Sequence, residues 1–304
     1  MIRLGLCCKF RDEPIKFPAT TAAAMGRLAV PDRLARLSAL ALANAEALMA
    51  ALRYCAENGI GCFRVGSGVL PLKTHPLVGY AMGDLPQCDE IVARFRECGA
   101  FALDRGLRTC FHPDQFVVLN SRRPEVVDAS IRELEYQAEV AGWIGADVLN
   151  IHGGGAFGDK PAALADFAAG LDRLSAAARS RITVENDDRV FTPADLLPIC
   201  RSTGVPLVYD VHHHRCNPDG LSVEEATDAA LATWTREPMF HVSSPVEGWD
   251  GPHPERHHDF IDPDDFPACW RGLDATIEVE AKAKEVAVLK LRSDLDRPRE
   301  TPRP

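Results

Sequence analysis

Val148-Leu149-Asn150-Ile151-His152-Gly153-Gly154-Gly155 reads as a short buried strand that ends on a histidine and opens into a glycine turn. The next apolar run, Ile182-Thr183-Val184-Glu185, ends on a glutamate followed by Asn186-Asp187. The run after that, Leu207-Val208-Tyr209-Asp210, ends on an aspartate with His212, His213 and His214 just beyond. Between these runs, 161–178 and 193–203 carry helical signals, each with a proline at its first position. A strand that ends on a metal-binding type of side chain, then a helix, then another such strand, is the repeat that decides the fold.

Extended in both directions, the repeat fills the chain. Strands are expected at 2–8, 62–66, 108–112, 148–152, 182–185, 207–210, 239–242 and 277–280. Helices are expected at 31–58, 89–105, 124–145, 161–178, 193–203, 222–233, 264–273 and 282–295, with glycine at the exits Gly59, Gly106 and Gly204. Strand–helix units in this number predict an α/β protein, a single (β/α)8 TIM barrel spanning residues 1–295, with 296–304 as a disordered tail. Barrels of this kind run to about 250 residues, so the 304-residue chain needs no second domain. The longest connections, 66–88 and 243–263, are of a length that compact domains usually reserve for function.

The net charge of −10 excludes a surface coated with basic residues, while leaving room for a local basic cleft or for bound cations. Ten cysteines without a Cys-x-x-Cys pair are expected as buried thiols in a reducing cytoplasm. The N-terminal run lacks a charged leader and cleavage site, so no secretory signal is expected. Arg36, Asn44 and Glu46 interrupt the most apolar helix, so no membrane span is expected either.

Barrel active sites form at the C-terminal ends of the strands. There stand His112, His152, Glu185, Asp210, His241 and Glu280, with His212, His213 and His214 just past the sixth strand. Carboxylates and imidazoles crowded into one barrel mouth repel or remain unpaired unless cations neutralise them, so a site for two or more divalent ions is expected at the C-terminal face. Mixed imidazole and carboxylate ligands suit Zn, Mn or Fe. The long loops contribute His75 and His257. Gly153-Gly154-Gly155 lacks the spacing of a nucleotide-phosphate cradle and reads either as room for a substrate backbone or as a tight turn.

The motifs Thr74-His75-Pro76, His112-Pro113-Asp114-Gln115-Phe116, Ile151-His152-Gly153-Gly154, Val184-Glu185-Asn186-Asp187, Asp210-Val211-His212-His213 with Asn217-Pro218, and Glu280-Ala281-Lys282 resemble those of the ultraviolet damage endonucleases, relatives of the endonuclease IV barrels. The resemblance runs over nearly the whole chain. It implies a hydrolase that incises damaged double-stranded DNA immediately 5′ of cyclobutane dimers, 6-4 products and abasic sites. It implies three divalent metals per chain, manganese first and zinc, cobalt or iron as substitutes. The ligands it implies are His75, His112, His152, Glu185, Asp210, His213, His241, His257 and Glu280, with catalytic roles on Glu185, Glu280 and His241. Gln115 and Phe116 would fill the gap left by extruded bases. Leu6 stands where the family has a tyrosine and Met239 where it commonly has a metal-site lysine, so both positions, with Lys9, are expected beside the lesion. Further candidate phosphate contacts are Lys16, Arg64, Lys73, Lys160, Arg189, Arg215 and Lys282. The expected protein is a cytoplasmic, nucleoid-associated monomer without a membrane partner. The alternatives are a multinuclear iron oxidative enzyme, a sugar isomerase or epimerase, and a non-catalytic lesion binder.

Overall fold

A computed structural model describes residues 2–297. Eight parallel strands close into one barrel in strict sequence order: β1 Arg3–Cys7, β2 Cys62–Val65, β3 Arg108–Phe111, β4 Val148–His152, β5 Ile182–Glu185, β6 Leu207–Asp210, β7 Met239–Val242 and β8 Thr276–Val279. Closure is made by β1 on β8, where Arg3 pairs with Thr276 and Leu6 with Val279.

Alternation along each strand divides the interior from the layer beneath the helices. Leu4, Leu6, Phe63, Phe111, Leu149, Ile151, Val184 and Phe240 join the continuous core between barrel and helices. Cys62, Cys110, Val148, Val208 and Met239 form a separate apolar plug inside the barrel. Burial of such a plug removes water from the floor on which the mouth residues stand.

The helices start and stop where their punctuation says. Pro124 opens Pro124–Ile144, which Gly145 terminates in the left-handed conformation at φ 74°. Thr192 and Asp195 form a capping box on Pro193–Thr203, and Ser222 with Glu225 does the same for Val223–Leu231.

Several expectations need correction. The segment expected as one helix at 161–178 is two, Lys160–Leu171 and Ala176–Arg179, because Ser175 caps a new start. The helix expected at 264–273 is only the 3-10 turn Ala268–Trp270, since Pro267 within it cannot donate to an α-helical ladder. An unanticipated short helix, Val211–Cys216, follows β6. Asp296, assigned to the tail, closes the last helix Glu285–Asp296, and 298–304 lie outside the described residues. Val30–Glu57 does reach the length and apolarity of a membrane span, contrary to expectation. Its buried face, including Leu37, Ala41, Ala45, Leu48 and Leu52, belongs to the barrel core.

No disulfide is present among the described residues, and six of the cysteines, Cys7, Cys55, Cys62, Cys98, Cys110 and Cys200, are buried free thiols.

Candidate metal centre at the barrel mouth

Parallel strands in a barrel all end at one rim, so residues far apart in sequence meet there. His112 follows β3, His152 and Glu185 end β4 and β5, and their strands are in register at this level, with His152 opposite Glu185. Asp210 opposes His241 across β6 and β7. Three groupings of ligand atoms result: His112, His152 and Glu185; His112, His241 and Glu280; Glu185, Asp210 and His213. Seven of the nine expected ligands are thus brought together by the fold.

Glu185 lies at the centre. Its Oε2 is 2.9 Å from His112 Nε2, and its Oε1 is 3.1 Å from His241 Nδ1 and 3.3 Å from His213 Nδ1. Asn150 donates its side-chain amide to Glu185, and Thr183 donates its hydroxyl to Asn150 at 2.9 Å. Burial alone would raise the Glu185 pKa, but the imidazoles of His241, His152 and His112 outweigh it and hold the carboxyl well below the usual range. Burial would likewise lower His241, yet Glu185 and Glu280 push it up to about 10. His213 is raised well above its ordinary value, with Asp210 and Glu185 overcoming burial. His152, by contrast, is lowered by burial.

Two imidazoles have their tautomers set by the backbone. His112 Nδ1 donates to the Pro113 carbonyl at 3.1 Å, which turns Nε2 toward the cluster. His213 Nδ1 lies 3.0 Å from the Asn186 carbonyl. Asp210 divides its two oxygens: Oδ1 accepts from the His213 N–H at 2.8 Å as the cap of Val211–Cys216, while Oδ2 is buried without a hydrogen-bond partner. His152 Nδ1 is also buried and unpartnered. Orphaned acceptors among crowded carboxylates are what a divalent cation satisfies, and the donor set of imidazoles and carboxylates fits Mn, Zn or Fe.

His257 stands at the edge, with Nδ1 3.7 Å from Glu280 Oε2 and 3.3 Å from Ser243 Oγ. His75 is not part of any of the three groupings; its Nδ1 accepts from the Leu77 N–H at 3.2 Å within its own loop.

The residues expected beside the lesion divide. Phe116 is 75% exposed, held out by the Asp114 turn in which its N–H donates to Asp114 Oδ1 at 3.1 Å, so it is not core. Its neighbour Gln115 is exposed as well. Lys9 and Lys16 line a cavity of about 630 Å³ with Phe10, Phe17, His112 and Asp114. Leu6 and Met239 have no exposed surface: Leu6 packs outward beneath the helices and Met239 sits in the interior plug. Neither presents an atom to the mouth, because the strand period turns Leu6 away and places Met239 one layer too deep.

Among the phosphate candidates, Lys160 is paired with Asp195 at 2.6 Å, Lys73 donates to the Tyr80 carbonyl at 2.9 Å, and Arg215 to that of Asp265 at 2.9 Å. Arg64 is buried inside the barrel, bonded to Glu278 and Glu280. Glu278 went unread in the sequence, although period-two alternation puts it on the same face of β8 as Glu280. The glycine stretch is a packed turn: Asn120 donates to the carbonyls of Gly153 at 2.8 Å and Gly155 at 3.0 Å, and a Cβ on Gly153 would come within 2.8 Å of the Phe191 ring.

Fold and mouth together define a class, the (β/α)8 barrels that gather histidines and carboxylates from successive strand ends. Solved structures show how wide the use of this fold is. Endonuclease IV from Thermus thermophilus superposes with a TM-score of 0.60 at 18% identity, over 82% of this chain and 92% of that one. D-psicose 3-epimerase from Clostridium cellulolyticum superposes at 0.55 and 12% identity, over 81% and 90%. These two share the fold. The structure of SacUVDE is nearer, with a TM-score of 0.86 at 28% identity over 97% of this chain and 98% of that one.

Within the class the chain belongs to the UV-endonuclease UvdE family, whose model matches residues 2–303. It is 36% identical to the UV DNA damage endonuclease of Deinococcus radiodurans, covering 95% of this chain and 94% of that protein. It is 31% identical to the UV DNA damage endonuclease of Bacillus velezensis, covering 95% and 91%.

Proposed function

We propose that this chain is a divalent-metal-dependent DNA repair endonuclease that cuts the phosphodiester immediately 5′ of cyclobutane dimers and 6-4 products, and at abasic sites. The observation that carries the reading is the mouth itself. Glu185, Asp210 and Glu280 converge with His112, His152, His213 and His241, and an exposed Phe116 stands on the loop that leaves His112. Family membership and the named relatives support the substrate.

Divalent ions, three by the family resemblance, would when bound supply an activated water and neutralise charge on the phosphate and the leaving oxygen. His112, His152, Glu185, Asp210, His213, His241 and Glu280 would hold them, with His75 and His257 joining from the loops. The rest is the chain's own. Asn150 fixes the rotamer of Glu185, and the Pro113 carbonyl fixes the ring of His112. Glu185, His241 and Glu280 would carry the catalytic roles, since they lie within proton-transfer reach of one another, Glu185 Oε1 being 3.1 Å and Glu280 Oε1 3.5 Å from His241 Nδ1.

Phe116 and Gln115 would enter the duplex where damaged bases leave the stack, an extrusion that costs least where pairing is already weakened. The cavity lined by Phe10, Phe17, Lys9 and Lys16 lies beside His112 and offers apolar walls with cationic edges to the displaced nucleotides. The protein would work as a monomer in the cytoplasm, at the nucleoid.

The test is incision by purified protein with Mn²⁺ of an end-labelled duplex carrying one cyclobutane dimer, beside an undamaged duplex and a Glu185→Gln variant. Cutting directly 5′ of the dimer, absent in the variant, is the expected result. Intact dimer and abasic duplexes from a protein that binds its metals would overturn the reading and point to oxidative or sugar chemistry on the same barrel.

A further inference from the structure

His241 differs from the other imidazoles of the mouth in what holds its far nitrogen. His112 and His213 rest theirs on backbone carbonyls. His241 turns Nδ1 toward Glu185 Oε1 at 3.1 Å and Glu280 Oε1 at 3.5 Å, and Nε2 down into the barrel. There it meets two side chains at once, Glu278 Oε2 at 3.0 Å and Arg64 Nη2 at 3.2 Å. All three residues are buried, with Glu278 and His241 wholly enclosed.

The two neighbours make opposite demands. Glu278 is an acceptor, so it requires a proton on Nε2 and leaves Nδ1, which faces the carboxylates of Glu185 and Glu280, as the nitrogen whose proton a cation would replace. Arg64 has only donors, so alone beneath the ring it would require a bare Nε2 and send the proton to Nδ1, where it would block a cation. Glu278 resolves the conflict by engaging Arg64 itself: Arg64 donates through Nε to Glu278 Oε1 at 3.1 Å and Oε2 at 2.9 Å, and through Nη2 to Oε2 at 2.6 Å. The same Nη2 lies 2.7 Å from Glu280 Oε1, so one guanidinium ties the buried carboxylate to one at the mouth. Nothing at position 239 competes for this space with a charge, since Met239 is an apolar part of the plug.

We propose that Glu278, clamped by Arg64, is a positioning residue for the metal centre: it selects the Nε2–H tautomer of His241 and thereby presents Nδ1 as a ligand. The inference rests on the metal-dependent reading above and adds to it a residue that lies outside the three groupings of the mouth. Carboxylates behind metal-binding histidines typically contribute tenfold to a hundredfold in affinity.

The experiment measures Mn²⁺ binding by competition with a fluorescent chelator, for the wild type and Glu278→Gln, with no DNA present. Weakening of about tenfold to a hundredfold is expected in the variant. In the Zn²⁺-loaded wild type, long-range ¹H–¹⁵N spectra should place the His241 proton on Nε2, a readout that a purely structural role would not move. Should Glu278→Gln leave Arg64 too poorly paired to fold, the Arg64→Gln/Glu278→Gln double variant removes both charges and should show the same weakening. A folded variant of either kind with wild-type affinity, or a His241 proton on Nδ1 in the wild type, overturns the proposal. A wild type that binds no Mn²⁺ overturns the functional reading and this inference with it.

Discussion

The two ends of the barrel both gather charge, and they settle it differently. At the N-terminal end Arg108 donates to both oxygens of Asp147, at 3.0 and 2.8 Å, and to the Thr276 hydroxyl at 3.1 Å. Arg3 lies 2.9 Å from Glu237, which also accepts from Thr276 at 2.7 Å. Three guanidiniums, those of Arg3, Arg108 and Arg236, thus meet the carboxylates of Asp147 and Glu237, so the chain itself supplies both signs of charge there. At the C-terminal end Glu185, Asp210, Glu278 and Glu280 share Arg64 and a group of imidazoles, with Asp210 Oδ2 and His152 Nδ1 left orphaned. The lesson is that an end built for stability supplies both signs of charge, whereas an end built for chemistry leaves one sign to be supplied from outside.

The sharpest way to break this contrast is at its centre. Glu185→Gln should lower incision of a dimer-containing duplex about a thousandfold while leaving the fold intact, because it removes the carboxylate shared by two of the three groupings of the mouth. Single-turnover rates with circular dichroism as a control decide it, and residual activity within tenfold of wild type would put the chemistry elsewhere.

Chelation comes next. If the mouth lacks positive charge, saturating Mn²⁺ should stabilise the protein by about 4 kcal/mol at a thousandfold excess over Kd, visible as a rise of several degrees in Tm. Identical melting curves in EDTA and Mn²⁺ would mean that the chain neutralises this end unaided.

Phe116→Ala should weaken binding to damaged duplex by about tenfold, within the ~1–3 kcal/mol of a base–aromatic stack, with metal affinity unchanged. Equal loss on damaged and undamaged duplex in a mobility-shift assay would make Phe116 a general contact rather than a reader of lesions.

The opposite end should respond only in stability. Arg108→Gln should cost ~1–2 kcal/mol in urea unfolding, the smaller figure reflecting the partly exposed Asp147, and should leave Mn²⁺ affinity and incision untouched. A change in metal affinity would show that the two ends are coupled.

The smallest effect concerns pH and lies outside the mouth. Burial would raise Asp219, but the N–H groups of Ala194 and Leu221 and the His214 ring hold its pKa below the ordinary 3.8. A depressed carboxylate contributes stability that is present above the unfolded value and lost as pH falls through the folded one. Asp219→Asn should therefore cost under ~1 kcal/mol at neutral pH and flatten the acid limb below about pH 4. A steeper acid limb in the variant, followed by denaturant midpoints, would contradict that sign.

Much of this was legible in the linear chain. Every strand was found within a residue or so, because β-branched and apolar runs bounded by turn residues are local signals. The mouth residues followed from one rule, that barrel sites sit at strand ends. Helix 264–273 failed because apolar spacing was allowed to outweigh Pro267, whose missing N–H is the stronger local fact. Arg64 reads from sequence as a phosphate contact and Glu278 as an unremarkable strand residue for a different reason. Neither residue looks special alone, and only closure of β8 against β1, with β2 beside it, brings the two together. Leu6 and Met239 attracted attention by their place in a family motif, but the side of the strand and the depth in the barrel decide what a side chain can reach.

The sequence by itself determined the barrel, its order and the histidines and carboxylates at its rim, since periodicity and strand-end chemistry are properties of short segments. Only the tertiary structure decided which nitrogen of His241 faces the mouth, that a buried Arg64–Glu278 pair lies beneath it, and that Phe116 stands out while Leu6 and Met239 do not. Those facts depend on distances between residues remote in the chain, and such distances exist only once the barrel has closed.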